Sequence, residues 1–523
     1  MKQQIEIAIK PDDILSDGIL KTTAANQLKI SQDQISAVIP VKRSIDARSK
    51  KIVFRIFVDV YIDEKPVEQS RIINYKPVKD DKKVIIVGFG PGGMFAALKL
   101  IEYGIKPIVL ERGKDISGRR RDIKAIQQDH IVNPDSNYCF GEGGAGTFSD
   151  GKLYTRATKR GDIKRIMDIL IQHGADPDIA VDTHPHIGSN RLPKIVTAVR
   201  DTILNNGGEI HFDSRVEDFL IKDDKMIGAK TNDGKEYLGD AVLLATGHSA
   251  RDIFYLLHKK KIRIDPKPFA MGVRIEHPQQ LINEIRYHTK DKHPNLPAAG
   301  YTLVTEVEQR GVYSFCMCPG GIIVPAATAP GELVVNGMSL SKRNSPYANS
   351  GFVVEVTNQE WTKFEKYQPF AALMLQEDIE EKAFYMANQT QSAPAQRATD
   401  FMNGKLSSTL PKSSYIPGLT SSPLHTELPE FMTKRLKKAL LDFNRSMHGY
   451  YSEEAVLVAI ESRTSSPIRI PRDRETLMHP AVKGFFPCGE GAGYAGGIVS
   501  AAIDGENVAD GINKFLNNWL FIQ

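Results

Sequence analysis

Val84-Ile85-Ile86-Val87-Gly88-Phe89-Gly90-Pro91-Gly92-Gly93-Met94 is the stretch on which the reading of this chain turns. Four consecutive β-branched residues read as a strand buried on both faces, and Met94 to Tyr103 has helical spacing. Gly88-x-Gly90-x-x-Gly93 lies between them. Gly88 permits a tight turn, Gly90 lets the backbone approach a diphosphate, and Gly93 lets the helix pack on the strand. The helix start presents free N–H groups and its positive dipole end to phosphate. A second apolar strand, Pro107 to Leu110, ends at Glu111. A carboxylate at that place accepts both hydroxyls of an adenosine ribose and disfavours a 2′-phosphate. The segment therefore predicts one complete βαβ unit that binds a dinucleotide.

The rest of the chain sets the bounds. Its 523 residues imply several domains, and 41% hydrophobic with 25% charged residues are globular proportions. A net charge of +5 on this size, with only short basic clusters, gives no stripe for a phosphate backbone. Four cysteines (Cys139, Cys316, Cys318 and Cys488) make neither a disulfide framework nor a zinc spacing, so no metal is expected. The N-terminus lacks the apolar core of a signal peptide, and the longest apolar run, Val84 to Leu100, is broken by four glycines and a proline. The expectation is a cytoplasmic protein with no membrane span and with nucleic acid as the lesser reading; its oligomeric state is left open.

Four segments follow from changes in pattern. Residues 1–77 read as a small α+β domain, with alternating strands at Ile5 to Ile9 and Ile52 to Ile62 and a helix at Gly18 to Leu28. Residues 82–265 carry the dinucleotide unit, a helix at Thr197 to Asn205, and strands at Glu209 to Phe212 and Ala241 to Ala245. Residues 266–450 alternate as strands, notably Ala270 to Ile275, Val312 to Met317 and Leu333 to Val335, around a helical insertion from Trp361 to Asn388. Residues 451–523 return to strand, glycine turn and helix. The predicted fold class is α/β: a Rossmann-like domain, a mixed-sheet substrate or cap domain with the helical insertion, and the small N-terminal domain.

Two distant segments separate a flavin from a nicotinamide nucleotide. Val242 to Ala245 is an apolar strand ending in the small turn Thr246-Gly247. Phe486-Pro487-Cys488-Gly489-Glu490-Gly491 is a strand followed by an acidic glycine turn, and Gly497-Ile498 opens a helix. A ribityl chain and an isoalloxazine ring need such remote contacts: Glu490 to bond a ribityl hydroxyl, and the helix start to stabilise charge on the reduced ring. FAD is the cofactor these features predict, held without a covalent bond because no Cys or His lies in an attachment motif. No second G-x-G-x-x-G is present, so NAD(P)H would serve only as a transient donor.

Longer strings carry a family resemblance. They are Glu111-Arg112-Gly113, the run from Phe140-Gly141-Glu142-Gly143 to Asp150-Gly151-Lys152-Leu153, Gly247-His248-Ser249-Ala250-Arg251-Asp252, Ser314 to Gly321, Arg463 to Pro467 and Gly489 to Gly497. Together with Ser44 to Arg48, these resemble the bacterial FAD-dependent, NAD(FAD)-utilising dehydrogenases over nearly the whole chain. Asn137-Tyr138-Cys139-Phe140 departs from that pattern, where Asn-Val-Gln-Phe is expected. The resemblance implies a glutathione-reductase-type FAD fold and brings no substrate with it. It also implies that Arg119 lies near the diphosphate and that the loop Gly141 to Gly146 wraps the diphosphate and the flavin edge. The candidate cofactor set is Gly88, Gly90, Pro91, Gly92, Gly93, Glu111, Arg112, Arg119, Gly143, Gly144, Ala145, Gly146, Thr147, Val216, Thr246, Gly247, Arg251, Gly489, Glu490, Gly497 and Ile498.

Catalytic candidates are His186 and His248, whose imidazoles titrate near neutrality, and Cys316 and Cys318, which two-residue spacing on a strand would turn to one face. For the cysteines, two small buried residues lining a pocket is the preferred reading over a redox pair. Glu461 to Arg469 reads either as a site for an anionic group or the flavin pyrimidine edge, or as an ion-paired loop. The predicted function is an FAD-dependent oxidoreductase passing hydride between flavin N5 and a small-molecule substrate. The alternatives are a flavoprotein acting on RNA through its N-terminal domain, with Lys42, Arg43 and Arg48 to Lys51, or a non-catalytic FAD-binding protein.

Overall fold

Five parallel strands form the frame around which the chain is built, in the order Phe485–Pro487, Ala241–Leu244, Lys83–Val87, Lys106–Leu110 and Glu209–His211. They belong to a computed structural model that describes residues 1–13, 17–49, 51–66, 72–155 and 159–518. Alternation decides which side each residue serves. Val84 and Ile86, Ala241 and Leu243 pack among the helices Pro91–Glu102, Leu192–Asn205 and Ile498–Asn518. Ile85 and Val87, Val242 and Leu244 pack under the three-stranded sheet Val216–Lys222, Lys225–Thr231 and Glu236–Leu238 and the helix Arg251–Lys259. Both faces are therefore dry, which is why these strands read as unbroken apolar runs. This is the expected Rossmann-like arrangement. The first helix begins at Pro91, three residues before the helical spacing, because proline suits the first turn.

The second sheet has seven strands in the order Val304–Val307, Arg310–Cys318, Tyr347–Val356, Phe269–Pro278, Val456–Glu461, Ala393–Arg397 and Leu419–Ser421. All pairs are antiparallel except the last. Met271, Val273 and Ile275 share one apolar core with Phe352, Leu436 and Phe443. Helices Gln279–Tyr287 and Glu430–Ser446 pack on these strands. The break expected after residue 450 is corrected here: Val456–Glu461 pairs with Phe269–Pro278, so this sheet continues past it. The strand expected at Leu333 to Val335 runs instead over Val335–Ser339, paired with Gly321–Pro325; Leu333 gives its N–H to the Glu380 carbonyl and so lies outside that ladder. The insertion is a short 3-10 turn, Thr362–Tyr367, followed by the helix Ala371–Met386.

The N-terminal unit is a three-stranded antiparallel sheet, Lys2–Ile9, Val53–Ile62 and Ile35–Asp46, with the helix Asp17–Leu28 against it. Its second strand escapes a pattern reading because Pro40 and two register shifts break the alternation. Arg43 ties the unit to the rest through its backbone (to Val181 and Thr183) and through Asp178 and Asp182 at 2.8 and 2.7 Å. Arg48 and Arg55 are likewise paired, with Asp46 and, for Arg55, Glu6. Lys50 lies outside the described residues. Among the described residues no helix is long and apolar enough to cross a membrane.

Candidate functional site

A cavity of about 1970 Å³ opens between the two sheets. Its first half is backbone. The turn Gly88 to Gly92 lines it at the end of Lys83–Val87, and Gly489 and Glu490 line it after Phe485–Pro487. Thr246 and Gly247 line it after Ala241–Leu244, and Gly144, Ala145 and Gly146 form another wall. Two helix N-termini, at Gly90 to Gly92 and at Gly497 to Ser500, face this one space. Their first-turn N–H groups have no intrahelical acceptor, so the region is built for negative charge.

The glycines at the turn have separate reasons. Gly88 holds φ at +101°, and a Cβ there would stand 2.5 Å from the carbonyl oxygen of Ala245. The turn and the neighbouring strand end are thus pressed together. Gly93 does not reach the cavity; a Cβ on it would meet the Gly88 carbonyl at 2.1 Å, so it serves helix packing as expected.

Glu111 lines the cavity, and its carboxylate also organises the walls. It accepts from the backbone N–H of Phe89 at 2.8 Å and of Gly113 and Gly141 at 2.9 Å each. The glycine loop is fastened from behind by Arg119, whose guanidinium donates to the carbonyls of Asn137, Tyr138 and Glu142 at 2.7–2.8 Å. Arg119 is fully buried and spends its donors there, which corrects the expectation that it meets a diphosphate. Gly143 and Thr147 are corrected likewise: the Thr147 hydroxyl donates to Glu142 at 2.7 Å beneath the loop, and neither residue lines the cavity.

Arg112 lines the cavity, lies over the Phe140 ring and pairs with Asp135 and Asp252. Val216 also lines it. Arg251 does not. Its guanidinium is bound by Glu332, Gln376 and Glu380 at 2.6–2.9 Å, which ties the loop after Ala241–Leu244 to the inserted helix. Arg463 joins the same network through Glu332 and Glu380. Of the two readings of Glu461 to Arg469, the ion-paired loop describes Arg463.

The second half of the cavity is lined by side chains. Tyr301, Leu303, Tyr313, Phe315 and Met317 give an apolar wall, and Asp150, Lys152, His186 and Arg343 a polar one. His186 meets the Ser341 carbonyl at 3.2 Å, and burial together with Arg343 lowers its pKa. His248 meets the Ser249 hydroxyl at 2.9 Å; burial, then Arg463, push it down to about 4. A half-buried Glu490 is pushed up to about 7 by loss of water, against the pull of Lys267.

Sequence reasoning missed what surrounds the cysteines. The register of Arg310–Cys318 against Tyr347–Val356 shifts between Phe315 and Cys318, and Cys316 takes φ of +48°. A bulge with a left-handed non-glycine residue costs about 1–3 kcal/mol, and it re-aims the side chain. The two-residue rule for a straight strand therefore does not describe this pair. Cys316 lines the cavity and Cys318 lies fully buried behind it. The Lys152 ammonium stands 3.6 Å from the Cys316 sulfur, 3.3 Å from that of Cys318 and 3.3 Å from Asp150. Arg274, fully buried, bonds Glu461 at 3.0 Å and the Cys316 carbonyl at 2.9 Å. Neighbouring Cys318, then Lys152 and Arg274, hold the Cys316 thiol well below its ordinary range, while Cys316 and burial raise Cys318, whose thiol donates to the Cys316 carbonyl at 3.3 Å. Burial lifts Glu461 to about 7 despite Arg274. The sequence singled out Cys316, Cys318, Glu461 and the string Asp150-Gly151-Lys152 separately, and nothing in it joined them to one another or to Arg274.

Comparison with known proteins bears on the cradle. Residues 268–464 match the family model described as FAD-dependent protein, C-terminal domain-like. An uncharacterized protein of Clostridium beijerinckii is 40% identical over 526 residues, covering 97% of this chain and 97% of that protein. The chain belongs to one family with that protein, and its residues 268–464 are of the FAD-dependent protein C-terminal domain family. Residues 1–61 match a domain of unknown function. Among solved structures, a geranylgeranyl bacteriochlorophyll reductase-like protein of Thermoplasma acidophilum is similar at 13% identity over 84% of this chain and 79% of that one, TM-score 0.34. The glycine oxidase of Bacillus cereus is similar at 12% identity over 83% and 95%, TM-score 0.32. Neither carries weight beyond the likeness itself.

The cradle fits FAD. Two helix N-termini converge on it, much of its wall is glycine-rich backbone, and the carboxylates Glu111 and Glu490 line it. Among the described residues no group of three or more His, Cys, Asp or Glu is arranged to hold a metal ion.

Proposed function

We propose that this family member is an FAD-dependent oxidoreductase of glutathione-reductase-type fold that passes hydride between the flavin N5 and a small-molecule substrate. One observation carries the reading: a single cavity joins the backbone cradle to the chamber lined by Tyr301, Tyr313, Phe315 and Met317. A chamber with an apolar wall and a few convergent polar groups suits a small molecule. When bound, FAD supplies the two-electron chemistry at its ring. The chain's residues do the rest. Gly88 to Gly92 and the Gly497 helix start bind the diphosphate and bias the ring, and Glu490 bonds the ribityl chain. The aromatic wall excludes water, and His186, neutral near pH 7 through its lowered pKa, is placed to hold or pass a proton. With no second dinucleotide motif, NAD(P)H would reach the ring only transiently through the same chamber. The pairing of Arg43, Arg48 and Arg55 with carboxylates supports this reading over an RNA-binding module.

The test begins with colour. Purified protein should be yellow, and acid precipitation should release FAD into the supernatant. A colourless, folded protein that takes up no added FAD would end the proposal. Anaerobic photoreduction, followed by a screen for acceptors that reoxidise the flavin, then separates an enzyme from a passive carrier.

A further inference from the structure

The hydride-transfer reading leaves the two thiols of the chamber without a task. We propose that Cys316 and Cys318 form a reversible dithiol–disulfide couple that stores a second electron pair beside the flavin site. Three observations lead there. First, a straight strand would hold the two side chains parallel on one face, and the bulge at Cys316 removes that arrangement by turning this residue off the pleat. Second, one ammonium, Lys152, touches both sulfurs, so the two thiols share one polar environment. Third, the pair is asymmetric. Cys316 faces the cavity, where a partner reaches it, and Cys318 lies fully buried behind it, away from that space. A half-buried nucleophile at the cavity wall with a buried resolving thiol behind it is an arrangement suited to thiol–disulfide chemistry. Neighbouring Cys318, then Lys152 and Arg274, favour thiolate at Cys316, while the Cys318 thiol keeps its proton and donates it to the Cys316 carbonyl at 3.3 Å.

The step balances. A Cys316 thiolate and a Cys318 thiol form one S–S bond, releasing two electrons and the Cys318 proton. Two electrons and one proton are a hydride equivalent, which is what oxidised flavin accepts to become its reduced anion. Bound FAD in its reduced form would supply the same two electrons and proton in reverse, reopening the S–S bond to the Cys316 thiolate and the Cys318 thiol. That the flavin is the partner rests on the reading of the cradle given above; that the thiols form a couple does not.

The experiment uses the full-length protein. It is treated with diamide, denatured, alkylated with iodoacetamide and digested with trypsin, which releases residues 311–342 with both cysteines on one peptide. The expected peptide is lighter by two hydrogens and resists alkylation until dithiothreitol is added. Cys318→Ser should abolish this. If both cysteines of wild type stay alkylatable after diamide, the proposal falls. Dithionite titration of the oxidised, FAD-loaded protein should then consume two electrons per flavin more in wild type than in Cys318→Ser, as a second two-electron couple demands. Equal consumption, with the disulfide proven by mass, would overturn the link to the flavin. Lys152 acts as a positioning residue, so Lys152→Met should move the pH profile of Cys316 alkylation upward while leaving FAD bound; an unmoved profile refutes its role. A protein that forms the disulfide yet binds no FAD would end the proposed function and keep the couple.

Discussion

Glu111 shows how much one side chain carries. Three backbone N–H groups converge on its carboxylate, from the glycine turn, from its own strand end and from the glycine loop. Hydrogen bonds to a charged acceptor contribute about 1.5–3 kcal/mol each, so Glu111→Ala should weaken FAD binding by about tenfold to a hundredfold. It should also lower the thermal stability of the apoprotein, because those donors are left buried and unpaired. Quenching of flavin fluorescence and a melting curve measure the two effects, and an unchanged dissociation constant would remove Glu111 from the cradle. His248 gives a pH test. Its pKa in the folded protein lies near 4, below the unfolded value, so the stability it contributes is present above the unfolded pKa and is lost as pH falls toward 4. Between pH 6.5 and 4, His248→Gln should therefore lose less stability than wild type, as melting curves across that range would show.

At the scale of elements, the glycine turns differ in what surrounds them. Gly88 combines a left-handed φ with a backbone oxygen in its way, whereas Gly247, at φ of +75°, has open space where a Cβ would go. Gly88→Ala should therefore cost more in melting temperature and bound FAD than Gly247→Ala, whose strain alone is about 1–3 kcal/mol. If the two cost the same, close packing at Ala245 is not what demands glycine at 88. The turns and strands around the cradle were legible because parallel, doubly buried strands write themselves as apolar runs between glycines. The strand Ile35–Asp46 was not, since Pro40 and its register shifts erase the period of two. Nor was the cluster of Lys152, Arg274, Glu461 and the two cysteines. It is gathered from four distant segments, and the bulge at Cys316 overrides the spacing rule that the sequence offers.

At the scale of the molecule, the five-stranded sheet draws its members from positions nearly the length of the chain apart. Phe485–Pro487 pairs with Ala241–Leu244, and the helix Ile498–Asn518 packs against Pro91–Glu102. A chain ending at residue 483 should therefore retain no FAD and aggregate, since Ala241–Leu244 would be left as an open apolar edge. Absorbance of the purified protein and its elution volume would show this, and a soluble yellow truncation would contradict it. The same pairing has a consequence for biosynthesis. A ribosome adding 5–20 residues per second needs roughly 12–50 s to travel from Leu244 to Pro487. Throughout that interval the nascent sheet waits with one side unclosed while the seven-stranded sheet is translated. The cofactor cradle is thus completed late in translation, and the emerging intermediate is the form of this protein that most needs a chaperone.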